Sequence, residues 1–471
     1  MIMHKQLLIA ASALTLAACA SGPNYVPKPV SASAAAPFVM AQGSTIVSAE
    51  QPAGSWWRLY DDPVLDGLVR DAMASNTDIR VAVARLAKAR AALREERNAR
   101  EPQIGLNGSE QYGRNPGPDI VGERRNDIQV GVGLDVAYEV DLFGRISRRI
   151  EAAHGDIGAA AADSDAVRVA IVSDTVRAYA DEVSSAERIA VAQRIVTLLE
   201  ESLALTQRQH QIGVATGLDT ARIAALLDQR RADIPLLQAQ RQAALFRLAT
   251  LTGRTPRELP PQVAARTATL RLNQPIPVGD GATLLARRPD VRAAESRLAA
   301  STARIGVATA DLYPHITLGG SVGSSGAGIG NAFGANPFTW LLGPLINWTL
   351  NRSAARARVT EAKADTQAAL ATFDGTVLQA LEETETALSS YQQALNRRDA
   401  LSSARDQAEA AARITRARQR EGDISSLELL DSERTAAEAE AALAQADAQI
   451  ADAQVDLFKA LGGGWAGARP S

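Results

Sequence analysis

The chain has 471 residues, of which 46% are hydrophobic but only 4% aromatic, and its 50 Lys plus Arg and 53 Asp plus Glu leave a formal net charge of −3. Abundant alanine with so few aromatic side chains suits long helices with small contact residues better than one large compact core. Nearly balanced charge without a basic tract excludes a nucleic-acid partner, because a phosphate backbone demands clustered Lys and Arg.

The chain opens with Lys5, an apolar stretch from Leu7 to Leu16, and Ala17-Ala18 before Cys19, the pattern of a secretory signal. That stretch is too short to span a bilayer as a helix. Cys19 is the single cysteine, so no intramolecular disulfide can form although export implies an oxidising compartment. Leu16-Ala17-Ala18-Cys19 resembles the bacterial lipobox. The resemblance implies a diacylglycerol and an N-acyl chain on Cys19, with no other cofactor expected. Ala20 stands where an aspartate would imply inner-membrane retention, so the same resemblance implies sorting to the outer membrane. Several acyl chains on one residue anchor stably, since each buried methylene contributes about 0.8 kcal/mol.

Beyond the anchor the chain repeats itself. Asn76-Thr77-Asp78-Ile79-Arg80 opens a helical stretch that ends at Pro102-Gln103-Ile104-Gly105, and Arg288-Pro289-Asp290-Val291-Arg292 opens another that ends at Pro314-His315-Ile316-Thr317. Asp78 and Asp290 are 212 residues apart, as are Pro102 and Pro314. Further on, Gly213-Val214-Ala215-Thr216 answers to Gly422-Asp423-Ile424-Ser425 at an offset of 209. The expected organisation is a signal peptide over 1–18, a lipid-anchored segment over 19–60, a first repeat over 61–253, a crossing linker over 254–281, a second repeat over 282–463 and a tail over 464–471. Each repeat reads helix, strand, strand, long helix, turn, long helix. The linker carries Pro256, Pro260, Pro261, Pro275 and Pro277 and is expected to be mostly irregular.

In the first repeat, strands are predicted over 102–112 and 128–140. From Ile128 to Val140 every even position is apolar, while Gln129, Gly131, Gly133, Asp135, Ala137 and Glu139 take the other face. A period of two over that length suits a tilted membrane strand of about 9 to 11 residues plus its ends. The second repeat predicts strands over 314–322 and 338–350, with Pro344 expected to break the last ladder. Gly-rich loops join each pair, and Gly326-Ala327-Gly328-Ile329-Gly330 lacks the lysine of a phosphate loop. Four strands cannot close a barrel, and open sheet edges are not tolerated in lipid, so the chain must oligomerise to span.

The long helices follow. No proline interrupts 147–211, with Gly155 and Gly158 as early weak points, and roughly 65 residues at 1.5 Å reach about 100 Å. Val172, Val176, Tyr179, Val183 and Ala186 step by four and three, as do Leu378, Leu381, Leu388, Tyr391 and Leu395 with one gap, which sets a coiled-coil seam. Alanines in that seam bury little area, so stability is expected to come from assembly. Pro235 is expected to kink the returning helix.

This arrangement resembles the TolC-like outer-membrane factors, in the lipoprotein branch serving resistance-nodulation-division efflux pumps. The likeness runs from Cys19 to about Gly463. It rests on Gly22-Pro23-Asn24-Tyr25-Val26-Pro27, Trp56-Trp57 with Asp62-Pro63, Asn76 with Asp78, and Asp141-Leu142-Phe143-Gly144-Arg145, in that order on a duplicated chain. One departure is Trp348-Thr349-Leu350-Asn351-Arg352, where family members often carry a Pro-Ile-Phe-x-Gly-Gly-like run. The implied fold is mainly α with a transmembrane β portion: a homotrimer whose twelve-stranded β-barrel continues as a periplasmic α-helical barrel. The implied function is a passive outer-membrane exit duct for small molecules such as drugs, working with a periplasmic adaptor and an inner-membrane pump.

The two turns are the candidate working sites. Gly213 and Gly422 suit chain reversal, and Thr216 and Ser425 can cap the next helices. By resemblance Gly213, Val214, Thr216, Gly422 and Ser425 match the tips that meet the adaptor, and Asp219, Glu428 and Asp431 match acidic positions at a periplasmic gate. Arg208, Arg418 and Arg420 are candidates to pair with those carboxylates. Catalysis has little support. His4, His154, His210 and His315 lack metal-ligand spacing, and no nucleotide motif is visible. Two alternatives stay open: a duct for type I protein secretion, and a non-conducting coiled-coil envelope lipoprotein.

Overall fold

The computed structural model describes residues 21–463 other than 53, 117–123, 273, 328, 333, 335–337 and 422. A two-residue strand β1 (Val47–Ser48) precedes helices α1 (Pro63–Ser75) and α2 (Thr77–Asn98) and strands β2 (Gln103–Pro116) and β3 (Arg124–Val140). The 67-residue helix α3 (Arg145–Gln211) and the returning α4 (Gly217–Leu251) complete the first half. After β4 (Ile276–Pro277) the order recurs as α5 (Gly281–Arg287), α6 (Pro289–Ala310), β5 (His315–Ala327), β6 (Phe338–Asn347), the 68-residue α7 (Ser353–Arg420) and α8 (Ser426–Ala460). Among the described residues no helix is long and apolar enough to cross a membrane. The chain divides into two compact units, each drawing on both halves of the sequence.

The first unit takes residues up to 28 together with 85–161 and 293–374 and holds the four-stranded sheet, in the order β2-β3-β5-β6 with every pair antiparallel. β2 and β3 run further into their connection than the sequence suggests, since the alternation fades there while backbone pairing continues to Pro116↔Arg124. β5 likewise extends to Ala327, and β6 stops at Asn347 rather than 350. Pro344 does not break the ladder but sits opposite Leu318 in β6. β6 has a neighbour on one side only, where a missing N–H can be tolerated. Next to the sheet, Gly155 and Gly158 do not weaken α3. A Cβ on Gly155 would stand 2.8 Å from the Ala300 side chain, so these glycines let α3 and α6 approach closely.

The first described residues are strapped to this unit. Arg148, 4% exposed, donates to Ser21 O, Gly22 O and Asn24 Oδ1, and Gly22 at φ +86° lies against the backbone of Gly306.

The second unit, residues 29–84, 162–292 and 375–471, contains a core richer than composition suggests. Trp56 is fully buried and stacks on Phe458 with ring centres 4.4 Å apart, surrounded by Tyr60, Leu65, Tyr179 and Leu248. The segment before α1 therefore packs into the fold, and stability does not rest on assembly alone. The seam residues Val172, Val176, Tyr179, Val183, Leu388 and Tyr391 are buried, whereas Leu378 stays 67% exposed on a face of α7 that the single chain leaves uncovered. The linker is partly ordered. β4 pairs in parallel with β1, Ile276 and Leu270 are buried, and polar clamps join Arg254 to Asp71, Arg266 to Asp62 and Arg271 to Asp447. Pro235 lies inside α4, which runs through it.

Duplication reappears as one shared contact made with different chemistry. Asn76, between α1 and α2, donates Nδ2 to Leu251 O at the end of α4 (3.0 Å). Arg288, between α5 and α6, donates Nη1 to Ala460 O at the end of α8 (3.1 Å) and also binds Asp290 and Glu383.

Replacing Trp56 by Ala should cost about 3–5 kcal/mol in denaturant unfolding. Trp56→Phe should recover much of that, because the indole N–H has no hydrogen-bond partner to lose. Near this core, burial first and the Asp181 carboxylate second push Asp452 up to about 6 against the pull of Arg177. A carboxyl raised above its unfolded value destabilises the fold when ionised, so stability from this group grows as pH falls from about 6 towards the ordinary carboxylate range. Asp452→Asn is expected to raise the melting temperature at pH 7.5, with the gain fading at pH 4.

Candidate functional site

Two regions concentrate features that secondary structure alone does not require: the helical tips in the second unit and the two faces of the sheet in the first.

At the first tip α3 ends through Gly213, whose φ of +82° turns the chain, while Val214 N and Ala215 N donate to Gln209 O at 2.8 and 3.2 Å. A side chain at Gly213 would meet open space, so the backbone angle and not crowding selects glycine. Thr216 then caps α4. Its Oγ1 accepts from Asp219 N (3.3 Å), and Asp219 Oδ2 accepts from both Thr216 N and Thr216 Oγ1 at 2.9 and 2.7 Å, a reciprocal capping box. These bonds from Thr216, the side chain's first and the backbone's second, hold the Asp219 carboxyl below its ordinary range. His210 Nδ1 lies 2.9 Å from Ala215 O and braces the turn.

At the second tip Asp423 N donates to Arg418 O (3.0 Å), and Ser425 Oγ accepts from Glu428 N (3.3 Å). Gly422 lies outside the described residues, as does Cys19. Glu428 and Asp431 are exposed on the single chain, and Asp219 is half-buried. None pairs with Arg208, Arg418 or Arg420 among the described residues: Asp431 binds Arg434 (2.8 Å), Arg418 stands 4.0 Å from Asp423, and Arg208 donates to Ala204 O. The helix register turns these arginines away, and a different set does the joining. Glu433, 4% exposed, accepts from Ser202 Oγ (2.6 Å) and Arg416 Nε (3.0 Å), while Gln419 Nε2 donates to Gln209 Oε1 (2.6 Å). These bonds join α3, α7 and α8 close to the tips. The sequence signal for them is weak, one carboxylate among several on the alanine-rich helix α8. Apolar side chains cap the tips instead of being hidden: Ile212 is 75% exposed and Val214 69%, with Leu218 and Leu427 exposed beside them.

In the sheet, residues directly opposite one another share a face. One face gathers Ile104, Leu106, Leu134, Val136, Leu318, Val322, Trp340 and Leu342, interrupted by Glu110 towards the loop end. The other gathers Gly105, Asn107, Gly131, Gly133, Asp135, Gly319, Ser321 and Gly323, with Leu341 and Leu345 as exceptions on β6. Asn107 binds Asp135, and Arg145 binds Glu139, so two carboxylates on the polar face have protein partners. Both faces of the single chain carry exposed large side chains, Leu106 at 76% and Trp340 at 74% on the apolar one and Leu341 at 66% on the other. β2 and β6 are each paired on one side only.

Of the histidines, His154 meets Arg97, and His315 lies 3.9 Å from Glu139 and 3.8 Å from Asp311. Among the described residues no cluster of His, Cys, Asp or Glu is arranged to hold a metal ion.

Comparison with known proteins agrees with this geometry. The family model described as outer membrane efflux protein matches residues 68–254 and 282–463, one match for each half of the chain. The outer membrane protein OprJ of Pseudomonas aeruginosa is 32% identical over 465 residues, covering 96% of this chain and 94% of its own. The pyoverdine export outer membrane protein OpmQ of Pseudomonas putida is 29% identical over the full length of both chains. Among solved structures, the outer-membrane channel OprN superposes with a TM-score of 0.89 at 37% identity, covering 95% of this chain and 100% of its own.

Thr216→Ala should remove the hydroxyl half of the capping box, leave the backbone N–H of residue 216 donating to Asp219, and cost about 1 kcal/mol. Amides of the first turn of α4 should then exchange faster with deuterium. Because the Asp219 pKa is lowered on folding, its support for the tip is present above the ordinary carboxylate range and is lost as pH falls through the lowered folded value.

Proposed function

The chain belongs to the outer membrane efflux protein family, and from that premise we propose that a homotrimer of it forms the outer-membrane exit duct of a tripartite efflux system. One observation carries the proposal: a sheet with an apolar face, a polar face rich in small residues, and a free edge at each end. Within a bilayer each unpaired backbone group costs several kcal/mol. Joining β6 of one protomer to β2 of the next satisfies both edges at once. Three copies make a closed wall of twelve strands whose polar, small-residue face lines the lumen. Strands of 10 to 17 residues are long enough for the roughly 9 to 11 that a tilted span needs.

In this reading the chain is a passive conduit in the outer membrane that reaches into the periplasm. Energy comes from an inner-membrane pump of the resistance-nodulation-division class, through a periplasmic adaptor. The exposed Ile212 and Val214, carried on the turn at Gly213 before the Thr216 cap, and the exposed Leu427 after the Ser425 cap suit apolar contact with the adaptor. Cys19 carries the acyl chains, and the Arg148 strap supports that assignment by fixing the chain two residues further on. Asp219, Glu428 and Asp431 face the periplasmic constriction, where threefold symmetry turns each into a ring of like charge that attracts cations. Adaptor binding can open such a constriction only by as much as it favours the open state. OpmQ is named for pyoverdine export, and we infer a small-molecule cargo here also.

Planar-bilayer recording of the purified full chain tests this. Trimer-sized conducting units with cation preference are expected, and Glu428→Ala with Asp431→Ala should weaken that preference several-fold. A preparation that never conducts would remove the duct reading, and an unchanged preference in the double variant would remove these two residues from the constriction. Cys19→Ser should abolish incorporation of labelled palmitate, and gene deletion should raise susceptibility to drugs or dyes.

A further inference from the structure

The segment after β6, Trp348-Thr349-Leu350-Asn351-Arg352, is not used by the duct itself. Trp348 is 42% exposed, and its Nε1 donates to Leu312 O at 3.3 Å, which fixes the ring against the turn leading into β5. Arg352 Cζ stands 5.0 Å from the centre of the Trp348 ring, and Leu350 between them is 74% exposed. Asn351 Oδ1 accepts from Ser353 N and Oγ to start α7, and Arg356 N donates to Arg352 O, which places Arg352 and Arg356 one turn apart on one flank. Residues 348–358 hold Arg352, Arg356 and Arg358 and no Asp or Glu. Of these, Arg358 is engaged by Asp311 at 3.4 Å. Among the described residues no carboxylate pairs with Arg352 or Arg356, and both are exposed.

The corresponding exit after β3 is different. Arg145 there is bound to Glu139, and Arg148 is spent on the strap and on Glu151. Only the second exit leaves guanidinium groups free beside an exposed indole. Its position is continuous with the apolar face of β6, where Trp340, Leu342 and Ile346 are exposed.

We propose that Trp348, Leu350, Arg352 and Arg356 form a docking site for the headgroup phosphate of an anionic phospholipid in the periplasm-facing leaflet. The inference rests on the reading of the sheet as a wall in the outer membrane. Leu350 enters the acyl region, the indole sits at the interface where one end of a ring is apolar and the other wet, and the two arginines reach the headgroup. A guanidinium offers a phosphate two parallel donors, and stacking on Trp348 pre-orients that of Arg352. Phosphate of a headgroup, not of a soluble anion, is the fitting ligand because the apolar neighbours have no role for the latter.

The full chain in non-ionic detergent micelles, supplied with phosphatidylglycerol or phosphatidylcholine and read by native mass spectrometry, tests the proposal. The native chain should retain phosphatidylglycerol in preference. Arg352→Ala with Arg356→Ala should weaken that retention about fivefold for each arginine removed, make the remaining phosphatidylglycerol retention less sensitive to salt, and leave phosphatidylcholine retention unchanged. Arg352→Lys with Arg356→Lys should keep part of it. Equal retention of both lipids by the native chain, no effect of the double alanine variant, or displacement by equimolar inorganic phosphate would each overturn the site. Conductance of the same preparations separates the two ideas: a conducting chain without lipid preference sinks only this one, whereas a chain that never conducts sinks the duct.

Discussion

Backbone hydrogen bonding at the two ends of a four-stranded sheet is the constraint on which the other features depend. β2 and β6 each leave one row of N–H and C=O groups without a partner in the chain. In water those groups would be solvated. In the outer membrane they must meet other strands, and the polar row of Gly131, Gly133, Gly319 and Gly323 must face away from lipid. In the proposed duct the backbone thus calls for assembly of copies, whereas the side chains determine which face lies inside. In that proposed arrangement the small residues keep open a lumen that larger ones would fill.

The second unit obeys a different logic. Its core of Trp56, Phe458, Tyr179 and Leu65 is buried within one chain, so it has a folding unit's stability before any neighbour arrives. Around it each duplicated half closes onto itself through an equivalent contact. Asn76 and Arg288 both satisfy the last carbonyls of a returning helix, one with a neutral amide and the other with a charge that also binds Asp290 and Glu383. Satisfying helix ends is obligatory once they are buried, so the contact survives duplication even where the residue does not. The clamps on the linker, among them Arg266 on Asp62, hold the crossing segment to this core.

At the tips the same residues serve local structure and candidate function. Thr216 and Asp219 complete a cap, and that cap holds Val214 and Ile212 outward, where burying them requires another molecule. Glu433 with Arg416 and Ser202 ties the helices together just behind. Any movement of the tips must carry this buried carboxylate with it or break its bonds, and a broken buried pair leaves an uncompensated charge.

The local pattern already contained the strands, the repeat and the caps, because each is a short-range property. Alternation from Ile128 to Val140 defines a strand with two unlike faces, the offsets of 212 and 209 reveal duplication, and Thr216 and Ser425 announce helix starts. Alternation does not set the strand ends, since pairing continues where it stops, and the tolerance of Pro344 in the ladder depends on strand order, which places β6 at a sheet edge. Residues distant in sequence could be matched only by the fold. Trp56 meets Phe458 across some four hundred positions, and Glu433 chooses Arg416 and Ser202 over the nearer-looking Arg418 and Arg420. Periodicity determines which side of an element is apolar. Which partner covers that side, and which carboxylate finds which arginine, is decided only when helix register and packing bring the elements together.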